Sequence, residues 1–159
     1  MPYMIGTKLF QMGEFISHAG LKLPWKIECD AISPEEWNAL ARMVIDYQKE
    51  SFSKAVGIPR GGIPFADALN EYGSGDPNDP ILIADDVYTT GTSFNQFISE
   101  NYSNQKVIKW CVFARSPTQN NVNALFTMPE LATGAGFEPA SLLARDEQSR
   151  VFTDFTTQQ

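Results

Sequence analysis

The chain has 159 residues, 43% of them hydrophobic, with 12 Lys and Arg against 19 Asp and Glu and a formal net charge of −7. That length suits one domain with a real core, and the acidic balance argues against a nucleic-acid binder, which needs a concentrated basic face. No apolar run is long enough for a membrane span and no export signal opens the chain, so a cytoplasmic protein without membrane contact is expected. The two cysteines, Cys29 and Cys111, lie far apart without neighbouring ligand types and read as small core residues rather than a disulfide or a zinc site.

In chain order, Phe15 to Ile16 and Trp25 to Cys29 read as short strands joined by a turn around Gly20. Ser33, Pro34 and Glu36 spell a capping box with proline at the first helical position, and Trp37, Leu40, Ala41, Val44 and Ile45 recur at helical spacing, predicting a helix to about Gln48. Ala55 to Ile58 is a short apolar strand ending in Pro59, Arg60, Gly61 and Gly62, before a helix from Ile63 to about Tyr72. Glycines let a backbone approach a ligand closely, and Arg60 adds a permanent cation with five donors, a combination suited to pyrophosphate.

The stretch from Ile81 to Ser93, ILIADDVYTTGTS, is the most informative. Four apolar residues predict a short buried strand, with Asp85 and Asp86 where it would end. Thr89, Thr90, Gly91, Thr92 and Ser93 then offer hydroxyls and backbone N–H groups at the start of a helix running to about Glu100. Acids beside an anion cradle make sense for a phosphorylated sugar, whose hydroxyls the carboxylates accept while the N–H groups hold the phosphate.

A further strand, Val107 to Phe113, follows, ending near Arg115. Beyond it come a polar loop through Asn123 and a short apolar piece, Ala124 to Met128. The stretch from about residue 132 has little periodicity. The organisation expected is one domain over residues 1–131, with a C-terminal extension over 132–159. Alternating strands and helices favour a mainly parallel α/β sheet flanked by helices, with its site at the carboxyl ends of the strands.

The segment Ile81 to Ser93 resembles the motif that binds 5-phosphoribosyl 1-pyrophosphate (PRPP) in type I phosphoribosyltransferases: an apolar strand, paired acids, three variable residues, then Thr-Gly and a hydroxyl residue. The resemblance implies that Asp85 and Asp86 bind the ribose hydroxyls and that Val87, Tyr88 and the loop Thr89 to Ser93 form the site of the 5-phosphate. Pro59, Arg60, Gly61 and Gly62 are similar to the family's pyrophosphate loop, particularly in its orotate branch. Gly13 to Gly20, followed by Pro24-Trp25-Lys26, resembles the start of orotate enzymes, where a small hood covers the base. By that comparison His18, Trp25, Lys26 and Arg115 are base-binding, and Lys26, Arg115 and Asp86 are the candidate catalytic residues.

The resemblance implies a type I phosphoribosyltransferase-like fold with an N-terminal hood, magnesium held mainly by PRPP and water near Asp85 and Asp86, and a homodimer. The activity implied is transfer of a phosphoribosyl group between PRPP and a base, orotate-like. Purine-salvage enzymes usually place an acid where Thr89 stands, which disfavours that branch. Two departures stand out: Ala114 occupies a position commonly Asp, and no Lys or Arg occurs between Arg60 and Lys106, where orotate enzymes carry a mobile cationic lid. The missing lid keeps a second expectation open, a non-catalytic PRPP- or nucleotide-binding regulator on the same fold.

Overall fold

A computed structural model of the chain describes residues 6–16, 20 and 22–128. The extension expected from residue 132 lies outside them. Two strands open the chain, β1 (Phe10–Ile16) and β2 (Lys22–Ile27), paired antiparallel with a register irregularity between Met12 and Phe15. The hairpin is longer at its start than expected. It stops at Ile27 rather than Cys29 because the Glu28 carboxylate accepts from the Asp30 N–H and turns the chain into a 3-10 turn, Cys29–Ala31.

Helix α1 (Pro34–Tyr47) begins with the expected capping box. The Glu36 N–H donates to Ser33 Oγ at 3.2 Å and the Ser33 N–H donates to Glu36 Oε1 at 2.8 Å, so two otherwise orphaned donors are satisfied. Strand β3 (Ala55–Gly57) leads into α2 (Ile63–Leu69), which tightens into a 3-10 turn over Asn70–Tyr72. Strand β4 (Ile81–Tyr88), helix α3 (Thr92–Asn101), strand β5 (Val107–Ala114) and strand β6 (Val122–Thr127) complete the described chain.

Strands β3, β4, β5 and β6 form a parallel sheet in that order. A buried parallel strand needs apolar residues on both faces, and β4 supplies them. Leu82 and Ala84 pack with Trp37, Ala41 and Val44 of α1 and Phe65 and Leu69 of α2, whereas Ile81 and Ile83 pack with Phe94 of α3. Three layers result. Cys29 and Cys111 are buried free thiols, one in each core, as expected of small apolar residues. β6 recruits Val122 and Asn123 from what reads in sequence as a polar loop, because pairing with Lys109 and Trp110 satisfies their backbone. No helix among the described residues is long and apolar enough to cross a membrane.

The hairpin lies against the carboxyl-end half of β5. The Phe10 ring meets Phe113 edge-on at 6.0 Å, Phe113 stacks on Phe126 at 5.7 Å, and the Glu28 N–H donates to the Leu9 carbonyl at 2.6 Å. The N-terminal hairpin expected from the sequence is thus present beside the parallel sheet.

Candidate active site at the carboxyl ends of the strands

The acid pair is placed differently from the sequence expectation in one respect. Asp85 and Asp86 do not follow the strand but lie within it, since β4 keeps its register against β5 from Asp85↔Cys111 through Val87↔Phe113 to Tyr88↔Ala114. Val87 and Tyr88 are apolar enough to continue the ladder. The carboxylates are tolerated because each accepts the N–H of the next residue: Asp86 N–H to Asp85 Oδ1 and Val87 N–H to Asp86 Oδ1, both at 2.8 Å.

Strand alternation then separates the two acids. Asp85 is 7% exposed, and burial, reinforced by the neighbouring Asp86 charge, pushes its carboxyl up to about 9. Asp86 lies on the α1/α2 face, lining a small cavity of about 20 Å³ with Cys29, Trp37 and Gly61. The Cys29 thiol, which lines the same cavity, is pushed up by burial and by the Asp86 charge. Near neutral pH the buried Asp85 carboxyl therefore keeps its proton, so it adds no negative charge to the strand end.

The Arg60 loop reaches the same point. A Cβ at Gly61 would collide with the Asp86 carboxylate, so glycine is what lets this loop lie against the acid. The Ile58 N–H donates to the Ala84 carbonyl and the Gly62 N–H to the Ile58 carbonyl, both at 2.9 Å, which ties the loop down. The Pro59–Arg60 peptide is cis. Pro59 and Arg60 are exposed, Arg60 makes no ion pair among the described residues, and the Arg60 and Gly61 N–H groups take no acceptor among them.

At the end of β4, Thr89 and Thr90 lead to Gly91, which caps α3 in the left-handed region at φ +85°. No side chain caps this helix, and no acid occupies its first turn. Thr90 and Thr92 share a hydroxyl–hydroxyl bond at 2.9 Å, and Thr92 and Ser93 are exposed. The Thr92 N–H donates to Thr90 Oγ1 at 3.4 Å, whereas the Ser93 and Phe94 N–H groups take no acceptor among the described residues, and N–H groups at the positive end of a helix dipole suit an anion. Val87 packs on the α1/α2 core and serves the strand, whereas the Tyr88 ring packs in the other core beneath Gly91.

The hood residues are less convergent. Lys26 Nζ pairs with Glu28 Oε1 at 3.1 Å and lies 5.0 Å from the Phe15 ring centre. Trp25 lies across the hairpin from Met12, and its ring stacks on the Arg115 guanidinium at 3.8 Å. Arg115 is 7% exposed and donates from Nη2 to the Trp25 carbonyl at 2.9 Å. It pairs with no acid among the described residues, and its Nε is buried without a partner. His18 lies outside the described residues.

Sequence reasoning missed three participants. Cys29 stands beside Asp86, Ser116 Oγ donates to the Thr89 carbonyl at 2.8 Å, and the Gln119 N–H donates to the Tyr88 hydroxyl at 3.2 Å. A serine directly after a strand-end arginine is the one local signal that could have drawn attention to the second. The α2–β4 connection, where a lid is expected in orotate enzymes, is bonded elsewhere. Ser74 and Gly75 N–H groups donate to the Phe52 and Ser53 carbonyls, ahead of β3 and hence at the amino end of the sheet.

Neither family models nor curated proteins match this sequence. Solved structures do. The Leishmania donovani UMP synthase superposes with a TM-score of 0.61 at 18% identity, covering 75% of this chain and 33% of that one. The Aeropyrum pernix orotate phosphoribosyltransferase gives 0.58 at 19% identity, covering 75% and 88%, and the Francisella tularensis enzyme gives 0.53 at 17%, covering 75% and 80%. This chain therefore spans a third of the UMP synthase and most of the two orotate phosphoribosyltransferases. It has the type I phosphoribosyltransferase-like α/β fold, with a parallel sheet flanked by helices and an N-terminal hairpin.

Proposed function

We propose that this chain transfers a phosphoribosyl group between PRPP and a nitrogenous base, in an orotate-like reaction that uses magnesium. The observation that carries the reading is the convergence, at the carboxyl ends of β3 and β4, of an uncapped hydroxyl-lined helix start, a carboxylate pair and a cationic glycine loop lying against Asp86. Each part suits one part of PRPP. The Thr89–Ser93 loop takes the 5-phosphate, Asp85 and Asp86 take ribose hydroxyls, and Arg60 with the N–H groups of its loop takes pyrophosphate.

A ring nitrogen of the base attacks the anomeric carbon as its bond to the pyrophosphate oxygen breaks, and the electron pair leaves with pyrophosphate. The chain holds the ribose, fixes the line of attack and stabilises charge on the leaving group through Arg60. No group of three or more His, Cys, Asp or Glu among the described residues forms a closed metal site. Asp86, a partly exposed oxygen donor, fits a magnesium ion shared with substrate oxygens and water. When bound, magnesium neutralises part of the pyrophosphate charge. A base whose reacting nitrogen is already deprotonated needs no general base, in keeping with Thr89.

An anionic base is supported by Arg115. A buried guanidinium without a paired acid, with Nε lacking an acceptor, is costly unless a ligand supplies one. A carboxylate on the base would do so. The second reading, a PRPP-binding regulator without catalysis, is favoured by the α2–β4 connection lying at the amino end of the sheet, since an open site leaves developing charge exposed to water. Incubation with PRPP, magnesium and a panel of bases separates them. Pyrophosphate release with orotate is expected; saturable PRPP binding without release would favour the regulator, and no PRPP binding would remove both.

A further inference from the structure

The connection from β5 to β6 is short for its task. Parallel neighbours are ordinarily joined by a crossover of a dozen or more residues. Here the seven residues 115–121 carry the chain from Ala114, which pairs with Thr127, back to Val122, which pairs with Lys109. No helix takes up slack. The far end of the path is fixed where Asn120 and Asn121 both take positive φ and Lys109 Nζ donates to the Asn120 carbonyl at 2.9 Å.

The near end of the path leans on the phosphate loop through three hydrogen bonds. The Arg115 N–H donates to the Tyr88 carbonyl at 2.9 Å, Ser116 Oγ donates to the Thr89 carbonyl at 2.8 Å, and the Gln119 N–H donates to the Tyr88 hydroxyl at 3.2 Å. All three end on the two residues directly before Thr90 and Gly91. Tyr88 is 4% exposed, and a Cβ at Gly91 would come within 3.1 Å of its ring, so the ring forms the floor of the loop.

Such an external support is needed because the loop has little of its own. Gly91 gives no side-chain helix cap, and the loop's own side-chain bonds, the Thr90–Thr92 hydroxyl pair at 2.9 Å and a long 3.4 Å bond from the Thr92 N–H to Thr90 Oγ1, are both exposed. Donors act on an anion without reorganisation only when they are aimed beforehand, and exposed backbone with few contacts opens readily. We propose that Ser116, together with the Tyr88 hydroxyl, is a positioning residue that braces the 89–92 loop in its anion-binding shape from the taut β5–β6 connection. The inference rests on the reading of that loop as the site of the 5-phosphate.

The variants Ser116→Ala, Ser116→Thr and Tyr88→Phe test it, with calorimetric affinities for ribose 5-phosphate and for pyrophosphate and amide hydrogen exchange of the free protein. Loss of one bond to the brace is expected to weaken ribose 5-phosphate binding by about three- to tenfold. Pyrophosphate affinity should stay at the wild-type value, and exchange should quicken at Gly91 and Thr92 but not in the β4 core. Ser116→Thr, which keeps the hydroxyl, should restore both readouts. Unchanged exchange and affinity in Ser116→Ala, or equal losses for the two ligands, would overturn the brace. A wild-type chain that binds pyrophosphate but no ribose 5-phosphate would overturn the phosphate-site reading and the brace with it.

Discussion

Asp85 is 7% exposed on the α3 side of β4, beside Cys111, and its carboxyl is held up to about 9 by burial and by Asp86. The folded state therefore binds a proton that the unfolded chain has released. Below about pH 4 both states are protonated and the contribution to stability is fully present; it is lost as pH rises through the window up to about 9. Thermal unfolding of the ligand-free chain should accordingly show stability declining from pH 4 to 9, and Asp85→Asn should flatten that slope. Binding should pay in the opposite direction. Asp85→Asn with Asp86→Asn should weaken PRPP or nucleotide monophosphate binding while the fold persists, the hydrogen bonds to ribose contributing roughly 0.5–3 kcal/mol each; unchanged affinity by calorimetry would remove the ribose assignment. Arg115 gives the sharper contrast at this scale. Arg115→Ala should lower kcat/KM for orotate by about ten- to a hundredfold, a loss on the order of 1.5–3 kcal/mol, and leave a neutral base such as uracil little affected. Equal losses would mean that its bond to the Trp25 carbonyl, which anchors the hood, is its whole role. The acids and Arg115 are legible in the sequence because their residue types follow apolar runs. Which acid is buried, and what Arg115 stacks on, depend on partners 26 and 90 residues away in the chain, and no local pattern carries that.

Elements with strong local chemistry are the ones the sequence makes legible. The boundaries of α1 follow from Ser33, Pro34 and Glu36, and both capping bonds form. Ser33→Ala should therefore cost about 1 kcal/mol, read as a lower midpoint in denaturant with an unchanged slope. A drop many times larger would mean that Ser33 has a tertiary role. β4 and β6 are less legible for a common reason. Asp85 and Asp86 are poor strand formers, and Val122 to Asn123 looks like the tail of a polar loop, yet neighbouring strands offer backbone partners that override local preference. The β1–β2 hairpin is legible as a turn near Gly20 but not in its length, since Phe10 and Met12 gain their strand conformation from pairing with Ile27 and Trp25.

At the scale of the whole molecule, the cations are few where the ligand is most negative. Arg60 is the one basic residue before Lys106 on the loops that converge, and the α2–β4 connection is tied at the opposite end of the sheet. A polyanion as charged as PRPP calls for more. The hairpin carries Lys22, which is exposed, and Lys26, which already pairs with Glu28. The same hairpin exposes Met12 at 87%, Ile16 at 71% and Phe10 at 51%, and Phe10, Met12 and Trp25 line an apolar cleft of about 270 Å³ with Gln11 and Met128. Large apolar side chains grouped on one element are a surface to be covered. We expect a second copy of the chain to cover it, bringing a hairpin lysine toward the neighbouring site. Sedimentation should then show a homodimer, and Met12→Glu with Ile16→Glu should yield folded monomers. Those monomers should turn over PRPP poorly, and Lys22→Ala with Lys26→Ala should impair turnover while leaving the dimer intact. The two pairs of substitutions separate assembly from charge. A chain that sediments as a monomer at all concentrations and keeps full turnover after both lysines are replaced would leave Arg60 as the sole cation the reaction needs from these loops.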